Sequence, residues 1–392
     1  MTEFKQLPDG IYFNLPFKDY AAQDRFSVSR INKVNESPLT YWTDEIEPTL
    51  AEDFDLGAHL DEATESMAEG KAWHVMALEG EDAFNALYAT DYNASDFPDA
   101  LGSKPEHMAA AVKYGVAINK SDTIAKIADK LKMAGAPVTF HDDLRAAHVA
   151  ANDGKELISV VKMDELRRAG KIMAAYNVQE DFLTGGFPEV SILVTIKGVK
   201  YKVRVDYLRP DAQIEFKTIT RRSKTKPFDE ACADQMHNFG YFTGGYLYSL
   251  CVEAARNKLK GVFDGVGFTE GGDILWPKDF DIVDCAGDGM LSVPHLRLIK
   301  EFSGLDVGQY WHLFQERGKH NHVLLRRFDK YDEALQSRKV QKIWRTGQVD
   351  VERGVKLYNY FMEQNGRENM WLPALDAKPW DDGDFKPWQI EE

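Results

Sequence analysis

Residues 189–217 read EVSILVTIKGVKYKVRVDYLRPDAQIEFK, three β-rich runs separated by Lys197-Gly198 and by Arg209-Pro210-Asp211. Glycine supplies the positive φ of a tight turn and proline presets the φ of another, so both breaks are turn signals with a backbone cause. The stretch predicts a three-stranded antiparallel meander. With Lys197-Gly198 at the centre of a two-residue turn, facing residues have numbers that sum to 395, which sets Glu189 against Asp206. A second turn centred on Pro210-Asp211 gives a sum of 421, setting Asp206 against Glu215 and Arg204 against Lys217. Side chains alternate faces along a strand, so Glu215 and Lys217 project together.

Three carboxylates are thereby expected on one rung, with cations beside them. Like charges directly opposite across strands are destabilising, and at ~5 Å with an effective dielectric near 20 each pair repels by on the order of 3 kcal/mol. A bound divalent cation accounts for such a rung economically. A solvated sheet face is the other account that spacing alone leaves open.

The 392 residues are enough for one large elaborated domain or two smaller ones. One catalytic domain over residues 1–260 is expected, carrying a helical elaboration at about 81–160, with an extension over 261–392 that completes or flanks it. Hydrophobic residues at 44% and charged residues at 28% place the chain among ordinary water-soluble globular proteins. No run approaches the ~18 apolar residues of a membrane span, and MTEFKQLPDG holds no apolar core of a signal peptide. A cytoplasmic protein without membrane partners is expected. Cys232, Cys251 and Cys285 are too few and too scattered for a disulfide framework, a four-cysteine zinc site or an iron–sulfur cluster, and read as reduced core residues.

The formal net charge of −15 conceals an asymmetry. Lys197 to Lys226 holds ten Lys/Arg against three Asp/Glu, a balance of +7, which leaves −22 on the remainder. A positive groove on an acidic body suits a protein that holds a polyanion in one place and repels it elsewhere.

On either side of the meander the chain is mostly helical in pattern. Ser27 or Ser29 caps a helix across Arg30 to Asn35, and Pro38 interrupts it before Tyr41-Trp42. A helical pattern runs through Gly57-Ala58-His59 and through GKAWHVMALEG at 70–80, where Trp73, Met76 and Ala77 share a face and His74 adjoins it. His107, His141 and His148 have no ligand spacing and read as surface histidines. Lys162 to Glu180 reads as an amphipathic helix. After the meander, TRRSKTKPF at 220–228 is a basic loop, followed by a helix bearing Gln235, Phe239, Tyr241, Tyr246 and Tyr248, with Gly244-Gly245 allowing close approach. KGVFDGVGF at 260–268 suggests a strand, Val351 to Gln364 a helix, and residues 373–392 an acidic tail anchored by tryptophans.

Asp206 followed by Glu215-Phe216-Lys217 resembles the signature of the PD-(D/E)XK nuclease superfamily. GIYFNLPFKDY, SVSRINKVNESPLTYW, GKAWHVMALEG, LTGGFPEVSILV, VRVDYLRPD, IEFKT and the glutamine-aromatic helix are similar, in the same order, to the exonuclease VIII (RecE-type) nucleases. The resemblance covers roughly Gly10 to Tyr248, with Gly80 to Lys162 poorly matched. It implies an α/β fold with a restriction-endonuclease-like core, a central mixed sheet flanked by helices. It also implies a Mg²⁺-dependent exonuclease, with Mn²⁺ able to substitute, that digests linear duplex DNA from the 5′ end and leaves a 3′ single strand.

In that reading His74, Asp206, Glu215 and the Phe216 carbonyl hold the metal, and Lys217 positions or deprotonates the attacking water and stabilises the transition state. Glu189 and Gln235 orient groups around them. Position 239 is Phe where the family's glutamine-aromatic element has Tyr. Arg221, Arg222, Lys224 and Lys226 are candidates for gripping the DNA backbone, and Ser29 and Arg30 for sensing a double-stranded DNA end. The resemblance further implies a homo-oligomeric ring and a single-strand annealing recombinase as partner. The alternatives are an endonuclease or single-strand nuclease of the RecB-like group, and a non-cleaving DNA-end binding module.

Overall fold

A computed structural model describes residues 5–51, 65–221, 223, 225–263, 276–329 and 338–373. Its strands are β1 (Gly10–Phe13), β2 (Tyr88–Thr90), β3 (Glu156–Ile158), β4 (Phe187–Ile196), β5 (Val199–Leu208), β6 (Ala212–Ile219), β7 (Asp281–Asp284), β8 (Gln309–Glu316) and β9 (Val323–Arg327). Seven of them form one mixed sheet in the order β7-β1-β4-β5-β6-β8-β9, and β2 pairs separately with β3.

The meander is present. β4 and β5 pair antiparallel with Val190 facing Val205 and Ile196 facing Val199, the expected register. Lys197 and Gly198 have φ of 50° and 81°, as a tight turn between right-twisted strands requires. β5 and β6 also start in the expected register, Leu208 facing Gln213 and Tyr207 facing Ile214, and then part. The expected ladder rungs Asp206–Glu215 and Arg204–Lys217 do not form. Two buried acids held squarely opposite would repel, and the strands splay instead. The Asp206 carboxylate enters the gap and accepts the Phe216 N–H at 2.7 Å. β6 pairs along its whole length with β8, in parallel.

Helices cover both faces: α1 (Phe17–Ala21), α2 (Val28–Glu36), α3 (Glu65–His74), α4 (Val160–Glu180), α5 (Phe228–Asn238), α6 (Tyr241–Leu259), α7 (Val293–Gly304) and α8 (Arg338–Asn365). On one side Leu247, Cys251 and Val252 of α6 pack with Val190, Ile192, Val203 and Val205, joined by Phe302 of α7. On the other, Trp73 of α3, Met76 just after it and Leu166 and Met173 of α4 pack against Tyr207, Ile214, Phe216 and Leu313. Val205 and Tyr207 are two apart and would share a face of a regular strand, yet they belong to opposite layers. The pleat therefore breaks at Asp206. Across from it Glu189 has φ 52°, a region that costs a non-glycine residue on the order of 1–3 kcal/mol.

Several sequence expectations are corrected. His107 is buried, its Nδ1 2.8 Å from the Ser103 carbonyl. His141 Nδ1 lies 2.6 Å from the Tyr92 hydroxyl and His148 Nε2 lies 2.7 Å from the Thr90 carbonyl, so these histidines tie the elaboration together rather than decorate its surface. The interruption expected at Pro38 is present, α2 ending at Glu36; what the sequence did not indicate is that Pro38 opens a further helical segment, Pro38–Tyr41, capped by Ser37, because a proline in the first turn loses no hydrogen bond. Cys232 and Cys251 are buried free thiols, whereas Cys285 is only partly buried. Lys260 to Phe263 is a turn, and the rest of the strand expected there lies outside the described residues, as do Gly57-Ala58-His59 and residues 374–392.

Candidate active site

Four elements deliver the acidic and cationic groups to one place. β5 brings Asp206, β6 brings Glu215 and Lys217, β4 brings Glu189, and the last residue of α3 is His74. His74 Nδ1 lies 3.7 Å from Glu189 Oε1 and 3.8 Å from Asp206 Oδ1. Lys217 Nζ sits 2.5 Å from Glu215 Oε1 and 3.8 Å from Asp206 Oδ2. Arg204, two residues before Asp206, donates to Glu189 Oε2 at 2.6 Å and to the Leu15 carbonyl at 2.8 Å. Phe216 sits among them, its ring 5.1 Å from that of His74.

The electrostatics follow from crowding in a half-dry site. Burial opposes a charged Lys217, but Glu215 and Asp206 outweigh it and raise its pKa further, so the ammonium keeps its proton. Burial, then repulsion from Asp206, pushes Glu215 up to about 7. Asp206 is raised for the same first reason, burial, partly offset by His74 and Lys217. Glu189 goes the other way: burial is outweighed by His74 and Arg204, and its pKa is lowered. Burial disfavours the His74 cation, but Asp206 and Glu189 win and raise it.

A divalent cation fits the donors present. One atom each from His74, Glu189 and Asp206 lies within 4.8 Å of the others, an oxygen-rich set of the kind that suits Mg²⁺ or Mn²⁺. Glu215 Oε2 is buried with no hydrogen-bond partner, a cost that a cation would remove. Glu189, expected as an orienting group, thus shares this donor set with His74 and Asp206. Glu215 is engaged by Lys217.

Beyond Lys217 opens a cleft of about 530 Å³, lined among others by Tyr20, Ser29, Arg30, Glu215, Lys217 and Tyr241. Ser29 and Arg30 thus share a cavity with the acid-lysine pair, and Arg30 is braced by Asp24 at 2.8 Å. Tyr241 takes the place beside the lysine: the Lys217 ammonium lies 5.5 Å from its ring centre, and Gln235 hydrogen-bonds its hydroxyl. Phe239 is 60% exposed and stacks on the outer side of Tyr241 at 5.8 Å. Tyr241, two residues after Phe239, is thus the aromatic beside the lysine. Arg221 bonds Glu316 at 2.9 Å and Lys226 pairs with Asp234, while Arg222 and Lys224 lie outside the described residues. His312 of β8 also lines the cleft, and burial drives its pKa down to about 3. Nothing near the meander in sequence pointed to it.

No family model and no curated protein matches the chain. Among solved structures it is similar to a “putative exonuclease” from Eubacterium rectale, with a TM-score of 0.27 and 11% identity over 75% of this chain and 95% of that one. A likeness at this level fixes neither the fold nor the activity of the chain. Among the described residues, no helix is long and apolar enough to cross a membrane.

Proposed function

We propose that the chain is a Mg²⁺-dependent exonuclease of the PD-(D/E)XK type that hydrolyses linear duplex DNA from its 5′ ends. One observation carries this reading: His74, Glu189, Asp206, Glu215 and Lys217, from four separate elements, form one contiguous cluster, and its Glu215 and Lys217 line a cleft. A sheet built for stability alone gains nothing from converging three acids there.

A divalent cation held by His74, Glu189, Asp206 and Glu215 would offset phosphate charge and lower the pKa of water. The chain's own groups do the rest. Lys217, kept protonated by two acids, offers a fixed positive charge to a phosphate as negative charge builds on it. Its raised pKa favours this role over deprotonating water. Arg204 holds Glu189 in place, and Tyr241 and Gln235 fix the far side of the ammonium. Ser29 and Arg30 lie where a strand end entering the cleft would pass, and Arg221 and Lys226 flank the exit from β6 as backbone contacts without sequence information.

The test is digestion of linear duplex labelled at either end and of covalently closed duplex, with Mg²⁺ or with chelator. Early release of the 5′ label, an intact closed circle and no release under chelator are expected. Cutting of the closed circle at a similar rate would make the chain an endonuclease. Intact DNA in every Mg²⁺ reaction would leave only a binding module.

A further inference from the structure

The last third of the chain contains a second basic run that the meander does not account for. Residues 317–327, RGKHNHVLLRR, hold four Lys/Arg and two His with no Asp or Glu, in a chain whose net charge is −15. About a hundred residues separate it from the basic loop after β6. The fold brings the two together. β6 and β8 run parallel with Lys217 beside Phe314 and Ile219 beside Glu316, and the Arg317 N–H donates to the Ile219 carbonyl at 2.8 Å. The turn between β8 and β9 therefore starts where the lysine-bearing strand ends, two residues or about 7 Å along from Lys217.

The face can be read from the register. His312 faces Arg326 and Phe314 faces Leu324 across the β8–β9 ladder, so Arg326 shares a face with His312, which lines the cleft. Glu316 follows on that face by alternation. It is buried and acts as a clasp, accepting from Arg221 at 2.9 Å through one oxygen while the other lies 2.5 Å from His322 Nδ1. One acid thus fixes the basic loop to the basic turn. Phe228, at the start of α5, lies 5.8 Å from the His322 ring and closes the gap between them. Lys319 and His320 stand exposed at the tip of the turn and Arg326 is exposed on β9. Among the described residues none of these three has a carboxylate partner.

We infer that the β8–β9 turn, through Lys319, His320 and Arg326, is a contact surface for the sugar-phosphate backbone of duplex DNA flanking the cleft. The inference rests on the nuclease reading of that cleft and extends it to the last third of the chain. Arg221 and Lys226 share their charge with Glu316 and Asp234, whereas among the described residues Lys319 and Arg326 carry a charge with no acid beside it to offset a phosphate's claim on it. The edge strand β9 also gains by carrying charge, which discourages strand addition, but edge protection needs no alignment with the cleft and predicts no effect on DNA.

The experiment uses full-length chain carrying Lys217→Ala, so that DNA is held and not consumed. Binding of a fluorescent blunt 30-base-pair duplex is titrated over a salt series, with and without Lys319→Glu and Arg326→Glu added. Both added sites are exposed, and Lys319→Gln with Arg326→Gln serves as a milder pair, with thermal melts confirming folding. Affinity at low salt is expected to fall at least tenfold for the Glu pair and less for the Gln pair. The slope of log K against log salt should become shallower by about 2, one for each phosphate no longer neutralised. Unchanged affinity and slope, alongside good binding by Lys217→Ala itself, would overturn the turn's role and leave the nuclease reading standing. Absence of duplex binding by Lys217→Ala in every form would remove both.

Discussion

At Asp206 a single carboxylate has two tasks. One oxygen accepts the Phe216 N–H and holds β5 to β6 where the ladder fails; the other faces His74. Asp206→Asn is expected to keep the fold, since an amide oxygen also accepts a hydrogen bond, but to weaken Mn²⁺ binding by at least tenfold in calorimetry. An unchanged titration would show that the cation sits elsewhere. Glu215 offers a pH test. Its pKa in the fold, about 7, lies above its ordinary 4.5, so between these values the folded chain binds a proton the unfolded chain has released. Stability under chelator should therefore fall as pH rises from about 4.5 to about 7 and level off above. Asp206 adds to the same slope. In Glu215→Gln the fall should be shallower and the midpoint at pH 8 higher; a parallel pH profile for both proteins would refute the assignment.

Among the elements, the β4–β5 hairpin was the most legible. A Lys-Gly turn between two β-rich runs leaves one register, and the register stands. The next step was legible only in part. Arithmetic on the Pro210 turn gave the first two rungs, but local pattern cannot show that a buried acid will pry the strands apart and hand β6 to a partner about ninety residues away. The glycines tell a similar story. Gly244-Gly245 suggested close approach, and a Cβ at Gly245 would indeed meet Phe328 at 3.0 Å. The tighter approach is at Gly347 of α8, where a Cβ would stand 2.3 Å from the Phe242 carbonyl oxygen at the start of α6. Backbone cannot yield as a side chain does. Gly347→Ala should cost about 1–3 kcal/mol in denaturant unfolding. Because Phe242 follows Tyr241, the same change should slow cleavage; full activity with full stability would contradict this packing.

For the whole molecule, acids and lysine were readable because they lie within 29 residues of one another. His312, the Glu316 clasp and three strands of the sheet come from beyond residue 280, and only the folded topology joins them to the site. The sheet is not complete without them. A chain ending at residue 260 would leave β6 as an open edge and strip Leu313 and Phe314 from two core clusters. It is expected to be insoluble or unfolded by circular dichroism, and a cooperative melt from that fragment would show that the last third is dispensable. The acidic total makes sense at this scale too: negative charge elsewhere would steer a polyanion toward the few places where cations gather.

The most direct measurement compares the parental chain with Lys217→Ala on 5′-labelled linear duplex in Mg²⁺ under single-turnover conditions. Rapid release of label by the parent and a rate at least a hundredfold lower for the variant, with Mn²⁺ binding retained, is the result predicted. Release at equal rates, or none from the parent, would contradict a site in which an acid-held ammonium and a metal-binding carboxylate cluster cut DNA.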